Sequence, residues 1–229
     1  MKCPLCGHNI NRDNHNRCER FPICRYVLVD KSNTISDEFV LFDIETTGVS
    51  RTKDRITEIG AIKVKDGQII DEFSMLVNPG KDEFGKQMFI SSRITELTGI
   101  TNEMVKDKKE ETEAIKEFIN WLGKCKTLAG QNVIKFDIPF MKAAAKRAGI
   151  KLECDSAIDT LVLGKRMKLK ERGLVENYQQ STLANFYGFS YNAHRALDDV
   201  KACYKILEKM TQDEDKYGIK VRPEPLKKS

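Results

Sequence analysis

Two carboxylates, Asp43 and Glu45, stand two positions apart inside an apolar run, "EFVLFDIETTG" at 38–48. The "FVLF" ahead of them and the Thr-Thr-Gly turn signal behind read as a strand. A period of two then sends both acids to one face, with Cα atoms roughly 6.7 Å apart. Like charges that close, partly withdrawn from water, either keep a proton or need a cation, and a divalent metal is the natural partner. An isolated D-x-E is common and by itself more often marks a solvated sheet face, so further acids must decide. Asp137 in "NVIKFDIPF" and Asp198 and Asp199 in "HRALDDV", with His194 just ahead, are the candidates. Each has a plainer reading. Pro139 suits a first helical position, which makes Ile138 the helix cap and leaves Asp137 one residue outside the helix. Acids at 198 and 199 suit a helix N-terminus.

A second kind of chemistry is written in the first 24 residues, which hold four of the seven cysteines. Cys3 and Cys6 form C-x2-C, and Cys18 and Cys24 form C-x5-C, a donor set for one tetrahedral structural Zn²⁺. About 30 residues cannot bury a core of their own, so the metal would supply the missing folding free energy. His8 and His15 could replace a thiolate, but with four cysteines in place they read as loop residues. Cys125, Cys154 and Cys203 are single and scattered, as buried cytosolic thiols are, and a disulfide framework is not expected.

These groups need elements to hold them. The 229 residues, 40% hydrophobic and 32% charged, suffice for one ordinary domain plus a small addition. Residues 39–45, 56–64 and 69–77 read as three antiparallel strands joined by short turns. Helices follow at 111–122, with Ile115, Phe118, Ile119 and Leu122 on one face, and from 138 to Gly149, separated by a short strand at 127–131. A last helix, "ALDDVKACYKILEKM", carries Val200, Cys203, Tyr204 and Leu207 as its apolar stripe. The order implies an α/β fold with a mixed sheet flanked by helices. Residues 1–31 read as the cysteine module, 32–38 as a polar linker, 39–212 as the main domain and 213–229 as a flexible tail.

Charge and hydropathy bound the surroundings. Of the net charge of +5, residues 1–31 contribute +3, and a second basic concentration, "KRMKLKER" at 165–172, suits a polyanion backbone or a solvated helix face. No apolar run approaches ~18 residues and the N-terminus lacks the regions of a secretory signal, so the expectation is a cytoplasmic protein with no membrane partner.

Taken together, "FDIETTG", "QNVIKFD" and "HRALDD" resemble, in order and separation, the three motifs of the DEDD-type 3′–5′ exonucleases, in the branch with a catalytic histidine. The resemblance is strongest to the epsilon proofreading subunits of bacterial DNA polymerase III. "RITEIGAIKV", "ITELTGIT", "DTLVL" and "STLANFYG" extend it over about 39–210. It implies a ribonuclease-H-like fold and two Mg²⁺ or Mn²⁺ ions held by Asp43, Glu45, Asp137 and Asp199. His194 would be the general base, matching H-x-A-x-x-D and leaving Asp198 spare. Thr46, Glu58 and Asn132 would position the last nucleotide, which leaves as a nucleoside 5′-monophosphate. "RCERFPICRY" similarly resembles the second half of the zinc ribbons of bacterial type IA topoisomerases, which bind single-stranded DNA. That likeness points to Arg20, Phe21, Arg25 and Tyr26 as contacts for phosphate and base. The expected partner is single-stranded nucleic acid, DNA favoured over RNA, with a DNA polymerase or repair complex as a further partner. An RNA-trimming enzyme of the oligoribonuclease kind and a non-catalytic nucleic-acid-binding adaptor are the competing readings.

Overall fold

The computed structural model describes residues 8–11, 17–19, 38–82, 84–193 and 195–226, and the chain divides into two compact units, Met1–Thr34 and Ile35–Ser229. In the first, β1 (Ile10–Asn11) and β2 (Arg17–Cys18) pair antiparallel, Ile10 opposite Cys18. Cys3, Cys6 and Cys24 lie outside the described residues, as do His15, Arg20, Phe21, Arg25 and Tyr26.

The second unit opens with a meander of β3 (Glu38–Thr46), β4 (Ile56–Lys65) and β5 (Gln68–Leu76). After it come α1 (Ser92–Thr98), α2 (Asn102–Val105), α3 (Glu111–Leu122), β6 (Thr127–Gly130) and α4 (Asp137–Arg147). The chain continues through β7 (Ser156–Asp159), α5 (Thr160–Arg166), α6 (Gln180–Phe186), α7 (Ala196–Gln212), α8 (Glu214–Tyr217) and β8 (Glu224–Pro225). The six strands form one mixed sheet in the order β5-β4-β3-β6-β7-β8, with β6 parallel to β3 and β7 parallel to β6. This is the α/β sheet with flanking helices expected from the element order.

Strand β3 lies inside the sheet and is apolar on both faces, which explains its unbroken hydrophobic run. Val40, Phe42 and Ile44 pack with Ile115, Phe118 and Leu122 of α3 and Met141 and Ala144 of α4. Phe39 and Leu41 pack on the other face with Val200, Cys203, Ile206 and Leu207 of α7. Phe42 and Phe118 meet with ring centroids 5.8 Å apart and are fully buried, each contributing about 1.5–3 kcal/mol. Buried Glu111 ties the α3 side together: it accepts from the Ile56 amide at 3.0 Å and from Arg147 Nε and Nη2 at 2.8 and 2.7 Å. These contacts fix α4 against β4, and with it the start of α4.

Three expectations need correction. Strand β3 begins at Glu38, opposite Lys65, so the residue taken as the end of the linker already belongs to the sheet. Asp137 is the first residue of α4, with Phe136 at the cap position, because the side chain of Asp137 is drawn inward to β3. Residues after 212 do not form a free tail as far as 226. Buried Glu214 accepts from the Val221 amide and pairs with Lys220, Val221 enters the core, and β8 adds antiparallel to β7. A two-residue strand held by backbone bonds carries no hydrophobic period from which it could be foreseen. Among the described residues no helix is long and apolar enough to cross a membrane.

Candidate active site

Asp43 and Glu45 share the α7 face of β3 with Phe39 and Leu41, as the period of two requires. Asp199 comes to them from the first turn of α7, and carboxylate oxygens of Asp43, Glu45 and Asp199 all lie within 4.8 Å of one another. The neighbouring Asp198 is exposed. Asp137 is not in that triad. It is 3% exposed and accepts from the Ile44 amide, between Asp43 and Glu45 in the chain, at 3.3 Å. The reason is topological. Strand β3 pairs with β6 only at Val40 and Leu41, so the amide of Ile44 needs another acceptor, and the start of α4 brings one.

The electrostatics of the cluster point to a cation. Burial, then Asp137, Glu45, Asp199 and Glu58, hold the Asp43 carboxyl well above the usual carboxylate range. Burial, then Asp199 and Glu58, push Glu45 up to about 7. Asp137 rises to about 8, chiefly through burial and against the amides of Ile44 and its own backbone. Four acids in one part-buried space keep protons unless a positive charge compensates them, and hard oxygen donors of this kind suit Mg²⁺ or Mn²⁺.

The seat of α7 decides where Asp199 stands. Gly60 lies opposite Asp43 in the β3–β4 ladder, and a Cβ there would come within 2.3 Å of the Ala196 carbonyl carbon and 2.4 Å of the Leu197 nitrogen. The helix start thus rests directly on the backbone of β4. Glu58, two residues earlier on the same face, is 1% exposed and accepts from Arg195 Nη2 at 2.9 Å, Arg195 Nε at 3.2 Å and the Ala196 amide at 3.1 Å. Its carboxylate is thus bonded to the start of α7, partners that the expected nucleotide contact of Glu58 did not include.

Of the other expected site residues, Thr46 is buried at a β-bulge, its hydroxyl donating to the Gly48 carbonyl at 2.6 Å. Asn132 is part-buried and holds a positive φ of 58°, and its amide donates to Asp159 Oδ1 at 3.0 Å. His194 lies outside the described residues.

Sequence reasoning missed two supports. Asp159 caps α5 through the Leu161 and Val162 amides and also accepts from Asn132 and Ile134, anchoring the loop that leads to Asp137. Gln180 Nε2 donates to the Asp199 carboxylate at 3.1 Å and to its backbone carbonyl at 2.9 Å, and lies 3.0 Å from the Tyr191 hydroxyl. The Tyr191 phenol is pushed up by burial and by Asp199, so it stays protonated beside that acid. The "DTLVL" and "STLANFYG" segments were the available signals for these supports, but nothing local to either segment shows what its polar residues bond.

Comparison with known proteins matches residues 40–207 to the family model described as exonuclease. The chain belongs to the exonuclease family. This exonuclease domain is 39% identical over 188 residues to the PolC-type DNA polymerase III of Caldanaerobacter subterraneus subsp. tengcongensis, and 35% identical over 193 residues to that of Bacillus subtilis. Each match covers 82% of this chain and 12% of the relative, so the chain spans about an eighth of those proteins' length. Among solved structures it resembles the zinc-bound E. coli exonuclease I–ssDNA complex, with a TM-score of 0.69 and 20% identity. That match covers 80% of this chain and 42% of the other. The E. coli exonuclease I complex with a dA16 oligonucleotide gives 0.68 and 19%, with the same coverage. At these identities the likeness establishes the fold.

Proposed function

We propose that the domain is a metal-dependent 3′–5′ exonuclease that removes nucleoside 5′-monophosphates from the 3′ end of single-stranded DNA. The observation that carries this reading is the convergence of Asp43, Glu45 and Asp199 within 4.8 Å, with Asp137 bonded to the backbone between the first two. Support comes from the relatives, which are DNA polymerases, and from the neighbour solved with DNA oligonucleotides.

Asp43, Glu45, Asp137 and Asp199 would hold two Mg²⁺ or Mn²⁺ ions. When bound, such a pair neutralises the scissile phosphate, favours ionisation of the attacking water and stabilises the departing 3′ oxygen. The chain's own residues do the rest. His194 takes the water's proton, a part suited to imidazole, whose charge changes close to neutral pH. Gln180 and Tyr191 orient the Asp199 carboxylate. Thr46 and Asn132 position the terminal nucleotide, and Glu58 with Arg195 keeps the start of α7 in place. In the N-terminal unit, Cys3, Cys6, Cys18 and Cys24 form a donor set for one structural Zn²⁺. A nucleic-acid-binding module there would raise the local concentration of substrate without adding a catalytic group.

The test uses matched DNA and RNA oligomers labelled at the 5′ end, with Mn²⁺ or Mg²⁺ and with EDTA. A ladder shortening from the 3′ end, faster on DNA and abolished by EDTA, is the expected result. Faster RNA shortening would select the RNA-trimming reading, and binding without shortening would select the adaptor. A chain lacking residues 1–31 is expected to keep the ladder but to show weaker apparent affinity with a shallower salt dependence. Unchanged affinity would remove the tethering part.

A further inference from the structure

The acid cluster repels the phosphates of the strand it would cut, so an exonuclease needs compensating cations where that strand leaves the site. A groove of about 320 Å³ runs between the loop before α4 and helix α5, lined by Asn132, Ile134, Lys135, Asp159, Lys165 and Arg166. One wall is the loop that runs directly into Asp137, and Asp159 pins that loop: its carboxylate accepts from the amides of Asn132 and Ile134 as well as from those of Leu161 and Val162. Lys135 and Lys165 form no ion pair among the described residues, and Lys165 Nζ lies 6.0 Å from the Tyr178 ring centroid. Arg166 gives one nitrogen to Glu224 at 2.5 Å, which leaves other N–H groups of its planar fork for a second acceptor. Beyond Arg166 the exposed Lys168 and Lys170 alternate with buried Met167 and Leu169, so the basic run of 165–172 is anchored by its apolar residues and presents its cations to solvent.

We infer that this groove is the path of the single strand upstream of its 3′ terminus, with Lys135, Lys165 and Arg166 receiving successive phosphates. The inference rests on the proposed exonuclease reading and adds to it the direction in which substrate lies. A solvated helix face would account for Lys165 and Arg166 on α5, but not for a third cation, Lys135, lining the same groove from the loop that runs into Asp137. Phosphate contacts of this kind give affinity and salt dependence without base preference.

The experiment compares the full chain with Lys135→Glu/Lys165→Glu and with a control of equal charge change at α3 and the turn after it, Lys116→Glu/Lys124→Glu. Two readouts are taken: anisotropy of a labelled single-stranded DNA of about 12 nucleotides in Ca²⁺, and turnover in Mn²⁺ of that oligomer and of a nitrophenyl ester of thymidine 5′-monophosphate. The groove variant is expected to bind the oligomer at least 10-fold more weakly, with a salt slope shallower by roughly 1.4 for two lost phosphate contacts. Its turnover of the mononucleotide ester stays within about 2-fold of the parent. Equal binding by the groove variant and the parent, or an equal loss in the control, would overturn the path. A parallel loss on the ester would assign the lysines to the fold instead. Failure of the parent to turn over either substrate would refute the exonuclease reading, while the binding comparison would still decide the groove.

Discussion

Asp43→Asn is expected to lower nucleotide release by roughly 10³-fold or more, because it removes one of the carboxylates proposed to hold the metal pair. The same change should make the metal-free protein less sensitive to alkali. Asp43, Glu45 and Asp137 all hold protons more tightly folded than unfolded, Glu45 to about 7 and Asp137 to about 8. Between the ordinary carboxylate range and those values the folded state binds more protons, so stability falls as pH rises. The contribution is complete below about pH 4 and is lost as pH passes through 7 to 8. In EDTA the parent's Tm is therefore expected to drop by several degrees between pH 5 and 8, at roughly 2–4 °C per kcal/mol for a domain of this size. The amide that Asp43→Asn introduces carries no charge at any pH, so the variant's drop is smaller. Mg²⁺ at pH 8 should raise the parent's Tm and raise the variant's by less. A flat profile in EDTA, or identical profiles for the two proteins, would mean that the acids are not held in unfavourable proximity.

Gly60→Ala tests the seat of α7. The new methyl carbon would overlap the backbone of Ala196 and Leu197, so either α7 lifts from β4 or the strand yields. Overpacking of this kind costs about 1–3 kcal/mol. The larger effect is on chemistry: Asp199 moves with α7, and a displacement of about 1 Å at a reacting centre costs about 10²-fold in rate. Arg195→Ala should act in the same direction and more weakly, since the Ala196 amide still bonds Glu58 when the guanidinium is gone. The comparison is made on kcat with saturating metal and on Tm. Parent-like kcat in Gly60→Ala would show that Asp199 does not depend on close seating of α7. A fall in Tm alone would reduce the contact to a structural one.

Much of the site was already written along the chain. The period of two placed Asp43 and Glu45 on one face of β3, and helical spacing identified the buried stripe of α7 at Val200, Cys203, Tyr204 and Leu207. The three motifs named the acids, including Asp199 over the exposed Asp198. These are properties of neighbours in sequence, where backbone geometry turns spacing directly into direction. What tertiary structure alone decided is how the pieces meet. Glu58 could be placed on a sheet face but not assigned its partners, because Arg195 and Ala196 lie 137 and 138 residues away. The inward turn of Asp137 followed from an Ile44 amide that β6 is too short to reach, the position of Gly60 from the landing of α7, and the sixth strand from a C-terminal segment without periodicity. In each case the deciding quantity is a contact between distant segments, and such contacts leave no period in the sequence that makes them.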